Sequence, residues 1–277
     1  MSGLMHSVTS QFEKMEEERC IYCYKIIDGY YRKDWYGNSV CEKHYKYTQI
    51  CASCGRMISE KDGQWVEESR FICNECLQNE VNENNIDDVI MQVIKLLSDY
   101  GFDDIIPDHF TCHLISASEM QQHIEGAVGI HITNNCEWSE KGVSHLEQEI
   151  LVLRHFSDIE FRAVLAHEMI HSWQTRNNLQ EIYNSESDEL KHMKCEGFAQ
   201  MGSWLVYSRV QNHITKQEKC PSKYLQQKIS QMFENKDPYY GVAFKRIFEQ
   251  FYSYDGDEKA KWRYIIKCAR QDKLKIV

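Results

Sequence analysis

Two histidines and a glutamate in the segment L-A-H-E-M-I-H-S-W are the residues of this chain best suited to chemistry. His167 and His171 are four residues apart, so a helix places both imidazoles on one face, where they suit two ligand positions of one Zn²⁺. Glu168 adjoins the first histidine and is suited to accept a proton from a water on that metal. The spacing therefore predicts a hydrolytic zinc site with Glu168 as its general base.

A third ligand is expected from Glu196, which begins the segment E-G-F-A-Q on another predicted helix. A glutamate from a second helix is a standard third zinc ligand and leaves the fourth position to water. Glu186, Asp188 and Glu189 are nearby alternatives, but Gly197 favours Glu196 because a glycine lets two helices approach closely. A hydrogen-bond donor to the transition state is also expected. The candidates for it are Tyr183, His192 and Tyr207.

Eight more ligand candidates form an internal repeat upstream, in which each unit contains two closely spaced pairs. The first unit offers Cys20, Cys23, Cys41 and His44, and the second offers Cys51, Cys54, Cys73 and Cys76. Such pairs predict two tetrahedral structural Zn²⁺ sites, and the small segment that contains them could hardly fold without metal. The repeat favours sequential ligation as in LIM domains, whereas the same ligand order in a RING finger would interleave the two zincs. The sequence thus predicts three Zn²⁺, one catalytic and two structural.

Composition limits the class of protein. The chain has 277 residues and a formal net charge of -10, which argues against a nucleic-acid partner. It has neither an apolar signal core at its start nor an apolar stretch long enough for a membrane span. Paired cysteines without a signal peptide indicate metal ligands in a reducing compartment, so we expect a cytoplasmic protein.

Hydrophobic periodicity predicts an α+β fold with strands before helices. The predicted strands are 110–115, 127–133 and 149–153, and the predicted helices are 86–97, 157–176, 188–210, 223–234, 240–252 and 258–270. Ser157 and Glu160 fit a capping box at the start of the helix that contains His167. We expect three regions: a flexible lead-in (1–19), a LIM-like double-zinc module (20–80) and a zincin-like peptidase domain with a small sheet and a helical C-terminal part (81–277).

The order of these motifs resembles that of the plant ubiquitin-activated LIM-domain peptidases that limit organ growth. The resemblance is carried by C-E-K-H, C-A-S-C-G-R-M and F-I-C-N-E-C-L, followed by L-A-H-E-M-I-H-S-W and E-G-F-A-Q. It implies a LIM-like module fused to a gluzincin-type peptidase that cuts selected protein substrates, with ubiquitin or a ubiquitinated activator as a partner. Residues 1–19 lack the ubiquitin-interacting motifs of that family, and the second pair here, Cys41 and His44, is C-x2-H where LIM domains have H-x2-C.

Three functional hypotheses follow. The first is a zinc endopeptidase in which a substrate strand adds to the edge strand 127–133, and in which the LIM-like module recognises or regulates. The second is a non-catalytic adaptor built on the LIM-like module. The third is a RING-type ubiquitin ligase, which requires interleaved zinc ligation.

Overall fold

The computed structural model describes residues 17–67, 70–103, 105, 109–136, 145–184, 186–213 and 222–276. Most of the predicted lead-in, residues 1–16, lies outside this part. The described chain is α+β, as predicted, with all its described strands before residue 154 and mostly helices after it. Within it, no helix combines the length and the apolar character needed to cross a membrane.

The described part of the cysteine-rich segment folds as three antiparallel hairpins, two 3-10 helices (Glu42–Tyr47 and Glu60–Asp62) and one short α-helix. The hairpins pair β1 with β2, β3 with β4 and β5 with β6. The elements are β1 (Tyr31–Lys33), β2 (Ser39–Cys41), β3 (Thr48–Ile50), β4 (Met57–Ser59), β5 (Gly63–Glu67), β6 (Arg70–Cys73) and α1 (Asn74–Gln78). The repeat suggests that Trp35 and Trp65 are the core residues of their units, but Trp65 is half exposed, with its ring edge against Phe71.

A three-stranded sheet and two helices follow. The elements are α2 (Ile86–Asp99), β7 (His109–Ile115), α3 (Ala117–His123), β8 (Gly129–Cys136) and β9 (His145–Leu153). The strand order is β7-β9-β8, with β7 parallel and β8 antiparallel to β9, so β8 lies at one edge of this sheet. The sequence predicted α2 and the three strands to within a few residues, but it did not predict α3, which begins at a capping box of Ser116 and Glu119.

The rest of the described chain is helical, and α4 packs along α6. The elements are α4 (Asp158–Arg176), α5 (Leu179–Ile182), α6 (Asp188–His213), α7 (Ser222–Glu234), α8 (Phe244–Ser253) and α9 (Glu258–Arg270). A π-helical segment, Pro238–Ala243, precedes α8. A Cβ on Gly202 would lie 2.8 Å from Ala166 O, so the close approach of α6 to α4 requires a glycine there. Ser203 Oγ donates to Ala163 O at 2.8 Å across the same contact.

One apolar core connects most of these elements. Buried side chains from Cys51 to Ile276 belong to it, and Trp173 and Trp262 are among its largest members. The four cysteines of the second predicted zinc unit are part of this core. A separate small cluster of Cys20, Val40 and Met57 lies under the first unit. The second unit therefore packs as part of the helical region, although it precedes the expected boundary at residue 80.

The predicted capping box of α4 is wrong. Ser157 is the N-cap residue, but its side chain makes no capping hydrogen bond among the described residues. The Glu160 carboxylate, the expected other half of the box, binds Tyr207 Oη at 3.0 Å, Lys228 Nζ at 2.7 Å and the Tyr224 hydroxyl. The Glu160 side chain therefore binds residues that are far away in the sequence, and the local sequence cannot reveal such contacts.

The contact at Gly202 leads to a prediction about stability. Gly202→Val should lower the free energy of unfolding by about 1–3 kcal/mol, because its side chain must push α6 away from the Ala166 carbonyl. Urea denaturation measures this change. Ser208→Val, which puts the same side chain at a half-buried position on α6, is the control. Equal effects of the two variants would contradict the role given to Gly202.

Candidate active site

Three potential ligand atoms from α4 and α6 converge on one point. His167 Nε2 and His171 Nε2 are 3.0 Å apart, and Glu196 Oε2 lies 3.3 Å and 3.4 Å from them. Four-residue spacing on α4 puts the two imidazoles on one face, and the packing of α6 brings the carboxylate to that face. The three residues predicted as ligands therefore form a group that could hold a metal ion.

The donor set and its dimensions fit zinc. Zinc bonds of about 2.0–2.2 Å at tetrahedral angles separate neighbouring ligand atoms by roughly 3.3 Å, close to the distances among these three atoms. Glu196 Oε2 is buried and makes no hydrogen bond among the described residues, although both Nε2 atoms are near. A buried carboxylate oxygen without a hydrogen bond is costly unless a cation compensates it.

Electrostatics support the same conclusion. Burial opposes the charged form of His171, but the Glu196 carboxylate outweighs it and raises the pKa of His171 to about 9. Burial would likewise raise the pKa of Glu196, yet the two imidazoles hold it well below its usual value. The site thus favours a positive charge between the three side chains, which is the charge that a metal cation supplies.

Gln174, which the sequence analysis did not identify, orients His171. Its Nε2 donates to Cys195 O at 2.8 Å, which leaves its Oε1 facing His171 Nδ1 at 2.9 Å. The Nδ1 atom therefore carries the proton, and the Nε2 lone pair is free for a metal. Gln174 also joins α4 to the residue that precedes Glu196. A glutamine three residues after the second histidine, on the same helical face, was the available signal.

Glu168 faces the edge strand β8. Burial raises the pKa of its carboxylate, and the imidazoles of His167 and His171 and the nearby His131 backbone N–H partly oppose that shift. A Cβ on Gly129 would lie 2.8 Å from Glu168 Oε1 and 2.5 Å from Val164 Cγ1, so the approach of β8 to α4 needs a glycine. The carboxylate is thus held beside the three-ligand group, and it is not itself one of the ligands.

Tyr240, which could not be identified from the sequence, lies beside the three-ligand group. Its ring lies 6.1 Å from that of His167, and its hydroxyl lies near the carboxylate of Glu196. Burial together with the charges of Glu196 and Glu168 raises the pKa of Tyr240 to about 12, so it stays protonated at neutral pH.

The π-helical segment brings Tyr240 to this position. Asp237 caps the segment by accepting from the backbone N–H groups of Tyr239 and Tyr240. A Cβ on Gly197 would lie 2.7 Å from Ala243 Cβ, so the close packing of the π-helical segment on α6 requires a glycine there. From the sequence we expected Gly197 to allow the close approach of α4 to α6, but Gly202 is the glycine at that contact. An Asp-Pro start followed by Gly241 was the only local signal of this unusual turn.

The three expected donors have different surroundings. The Tyr183 hydroxyl donates to Ala269 O at 2.9 Å in the core, and Tyr183 is 1% exposed, so it is wrong as a donor. The Tyr207 hydroxyl lines the cleft but binds Glu160. His192 is half exposed, with Nδ1 3.9 Å from Glu196 Oε1, and its ring packs on Tyr239.

The alternative acids do not reach the three-ligand group. Glu186 pairs with Lys194 Nζ, and Asp188 pairs with Lys191 Nζ at 3.3 Å. Glu189 is exposed. Of the four acids weighed from the sequence, only Glu196 joins the histidines in the described structure.

A cleft of about 1190 Å³ opens over the three-ligand group. Its walls include the start of β8 on one side and α5, α6 and α7 on the others. The volume exceeds the roughly 300–1,000 Å³ typical of small-molecule sites, which suits an extended polymer. Side chains away from the metal ligands include Glu125, Glu181, Lys191 and Gln231.

The eight upstream ligand candidates form two sequential groups. Cys20, Cys23, Cys41 and His44 form the first, with His44 Nδ1 3.1 Å from Cys41 Sγ. The second group consists of Cys51, Cys54, Cys73 and Cys76, all buried. This grouping is the one that the internal repeat predicts, and it differs from the interleaved ligation of a RING finger.

The second group has the properties of a four-thiolate metal site. Cys54 Sγ and Cys73 Sγ are 3.9 Å apart, close to the roughly 3.8 Å that tetrahedral zinc–sulfur bonds of about 2.3 Å produce. Arg56 Nε donates to Cys54 Sγ at 3.2 Å, and its guanidinium also pairs with Glu75 at 2.7 Å. A guanidinium beside the sulfurs offsets part of the negative charge that four thiolates and one Zn²⁺ would leave.

Comparison of the chain with protein-family models, with curated proteins and with solved structures gives no match.

The three groups lead to a prediction about metal content. The full chain should bind three metal ions, and His167→Ala/His171→Ala should bind two, because the cysteine groups do not depend on these imidazoles. Mass spectrometry of metals per chain after dialysis measures the difference. The control His192→Ala removes a half-exposed imidazole beside Glu196 and should leave three. If the wild-type chain binds only two metal ions, the prediction of a metal site in the cleft is wrong.

Proposed function

We propose that the protein is a zinc-dependent endopeptidase that hydrolyses peptide bonds in protein substrates at the cleft between β8 and α6. The observation that carries the proposal is the convergence of His167, His171 and Glu196 beside the buried carboxylate of Glu168. Two histidines and an acid leave a fourth zinc position for water, as in catalytic zinc sites, whereas structural sites use four protein ligands.

Zinc held by these three side chains would supply Lewis acidity, which makes water more acidic and polarises a carbonyl. Glu168 accepts the proton of the attacking water and later donates it to the leaving amine. Its raised pKa suits both steps, because a carboxylate with an ordinary pKa would hold that proton less readily.

Tyr240 is the donor to the transition state in this proposal. Its protonated hydroxyl lies near Glu196 and can donate a hydrogen bond to the carbonyl oxygen of a substrate bound in the cleft. His192 is the alternative, since it is close to Glu196 and half exposed. Tyr240 is preferred because its ring lies beside His167 and its raised pKa keeps the hydroxyl protonated, whereas the half-exposed ring of His192 packs on Tyr239.

The substrate would bind as an additional strand along β8. Backbone groups alternate along a strand, and Val128 O accepts from the Leu153 N–H of β9, so the N–H of His131 points to the free edge of β8. Gly129, two residues earlier, turns its backbone to the same free edge and also lines the cleft. Recognition through main-chain hydrogen bonds suits a peptidase that accepts different side chains next to the cleaved bond.

The resemblance to the LIM-domain peptidases adds a proposal about how the protein substrates are selected. The LIM-like module would recognise protein substrates or a partner, and cleavage would be limited to a few sites. Ubiquitin or a ubiquitinated activator is the partner that this resemblance suggests.

The general-base role gives the first functional prediction. Glu168→Gln should lower the rate of protein cleavage by about 10²–10⁴-fold and leave three metal ions bound, because Glu168 is not a ligand. Mapping of new N-termini in a protein mixture measures cleavage. The control Glu181→Gln makes the same change elsewhere in the cleft and should retain activity. Undiminished cleavage by Glu168→Gln would contradict the mechanism.

The donor role gives the second prediction. Tyr240→Phe should lower kcat by about 10²–10³-fold with little change in KM, because the hydroxyl acts mainly in the transition state. Steady-state kinetics on a peptide chosen from the mapped sites separates the two constants. Tyr239→Phe, in the same π-helical segment, is the matched control. If His192→Ala lowers kcat instead, His192 is the donor.

A further inference from the structure

The N-terminus of α4 depends on acceptors from outside the helix. The first backbone N–H groups of a helix have no partner within it, and a side chain at the N-cap usually supplies one. Here the Ser157 side chain makes no capping bond, and Glu160 is engaged by Tyr207, Tyr224 and Lys228. The helix that contains both histidines and Glu168 therefore does not cap itself.

The second cysteine group supplies the missing acceptors. Ser53, between Cys51 and Cys54, accepts the Ser157 N–H with its Oγ at 3.0 Å and donates to Ser157 Oγ at 3.3 Å. Asn79 O, just after α1, accepts the Asp158 N–H at 2.8 Å. Ser53 and Ser157 are both buried, so water cannot replace these bonds.

More contacts fix the chain that leads into α4. Arg70 donates from Nη1 to Arg154 O at 2.7 Å, and its guanidinium lies over the Phe156 ring. The Val81 N–H donates to Phe156 O at 3.2 Å. Arg70 is on β6, which ends at Cys73, so these contacts also depend on the fold around the four sulfurs.

The loop that presents Ser53 takes its shape from the cysteines. The Cys54 N–H points to Cys51 Sγ at 3.5 Å, and the Cys73 N–H points to the same sulfur at 3.3 Å. The first unit supports this loop as well, because Trp35 Nε1 donates to Cys54 O at 3.1 Å. A metal ion on the four sulfurs would hold Ser53 in place.

We propose that the second cysteine group caps α4 and that Ser53 is a positioning residue for the three-ligand group. α4 begins at Asp158, and His167 lies less than three turns further along the same helix. A loosened first turn shifts the helix relative to α6, and therefore shifts the histidines relative to Glu196. The proposal assumes that the three-ligand group holds a metal ion, as the proposed function does, but it is independent of the reaction.

Ser53→Ala in the full chain tests the proposal. A chelator titration gives the concentration at which three bound zinc ions fall to two, and the double-histidine variant identifies the ion that is lost. The concentration should fall roughly tenfold in Ser53→Ala, about the factor of one lost buried hydrogen bond. Amide hydrogen exchange in the first two turns of α4 should be faster by a similar factor. Ser53→Thr, which keeps the hydroxyl, should restore both values toward the wild type.

Ser59→Ala is the matched control, because Ser59 caps a short 3-10 helix of the same module by accepting the Lys61 N–H. It should leave both measurements unchanged. Unchanged chelator and exchange values in Ser53→Ala, or equal shifts in both variants, would overturn the proposal. If the wild type binds only two ions, the proposed function fails, and the exchange measurement alone decides whether Ser53 caps α4.

Discussion

The close approach of Glu196 Oε2 to two imidazole nitrogens is the interaction on which the rest of the structure depends. A carboxylate and two imidazoles buried together are stable only with a positive charge among them, as a bound proton or as a metal ion. The first case raises the pKa of His171 and lowers that of Glu196. A metal ion would bind all three ligand atoms at once, and the distances between these atoms suit a metal ion.

The surrounding structure sets the geometry of this cluster from several directions. Gly202 lets α6 approach α4, Gln174 links the two helices behind His171, and Gly129 lets β8 reach Glu168. The second cysteine group caps α4 through Ser53. The cysteine-rich segment is therefore not a separate appendage, since part of it belongs to the same core as the cleft.

The sequence was sufficient to predict the groups whose candidate ligands lie close together on a helix or in repeated pairs. His167 and His171, the sequential cysteine groups and the bounds of α4 follow from local spacing, and Glu196 from its place on a second helix. Tyr240 could not be predicted, because only the packing of Ala243 against Gly197 brings its segment to the site. The capping of α4 by Ser53 was also invisible, because hydrogen bonds between distant segments leave no periodic pattern. The half-exposed Trp65 shows that similar positions in a repeat need not have similar environments.

Anomalous diffraction from crystals of the zinc-loaded protein, measured at the zinc absorption edge, tests the central claim most directly. A metal ion held by the three side chains should give a peak within about 2.0–2.2 Å of His167 Nε2, His171 Nε2 and Glu196 Oε2, in addition to one peak in each cysteine group. Peaks in the two cysteine groups alone, with His167 and His171 bonded to Glu196 through protons, would contradict it.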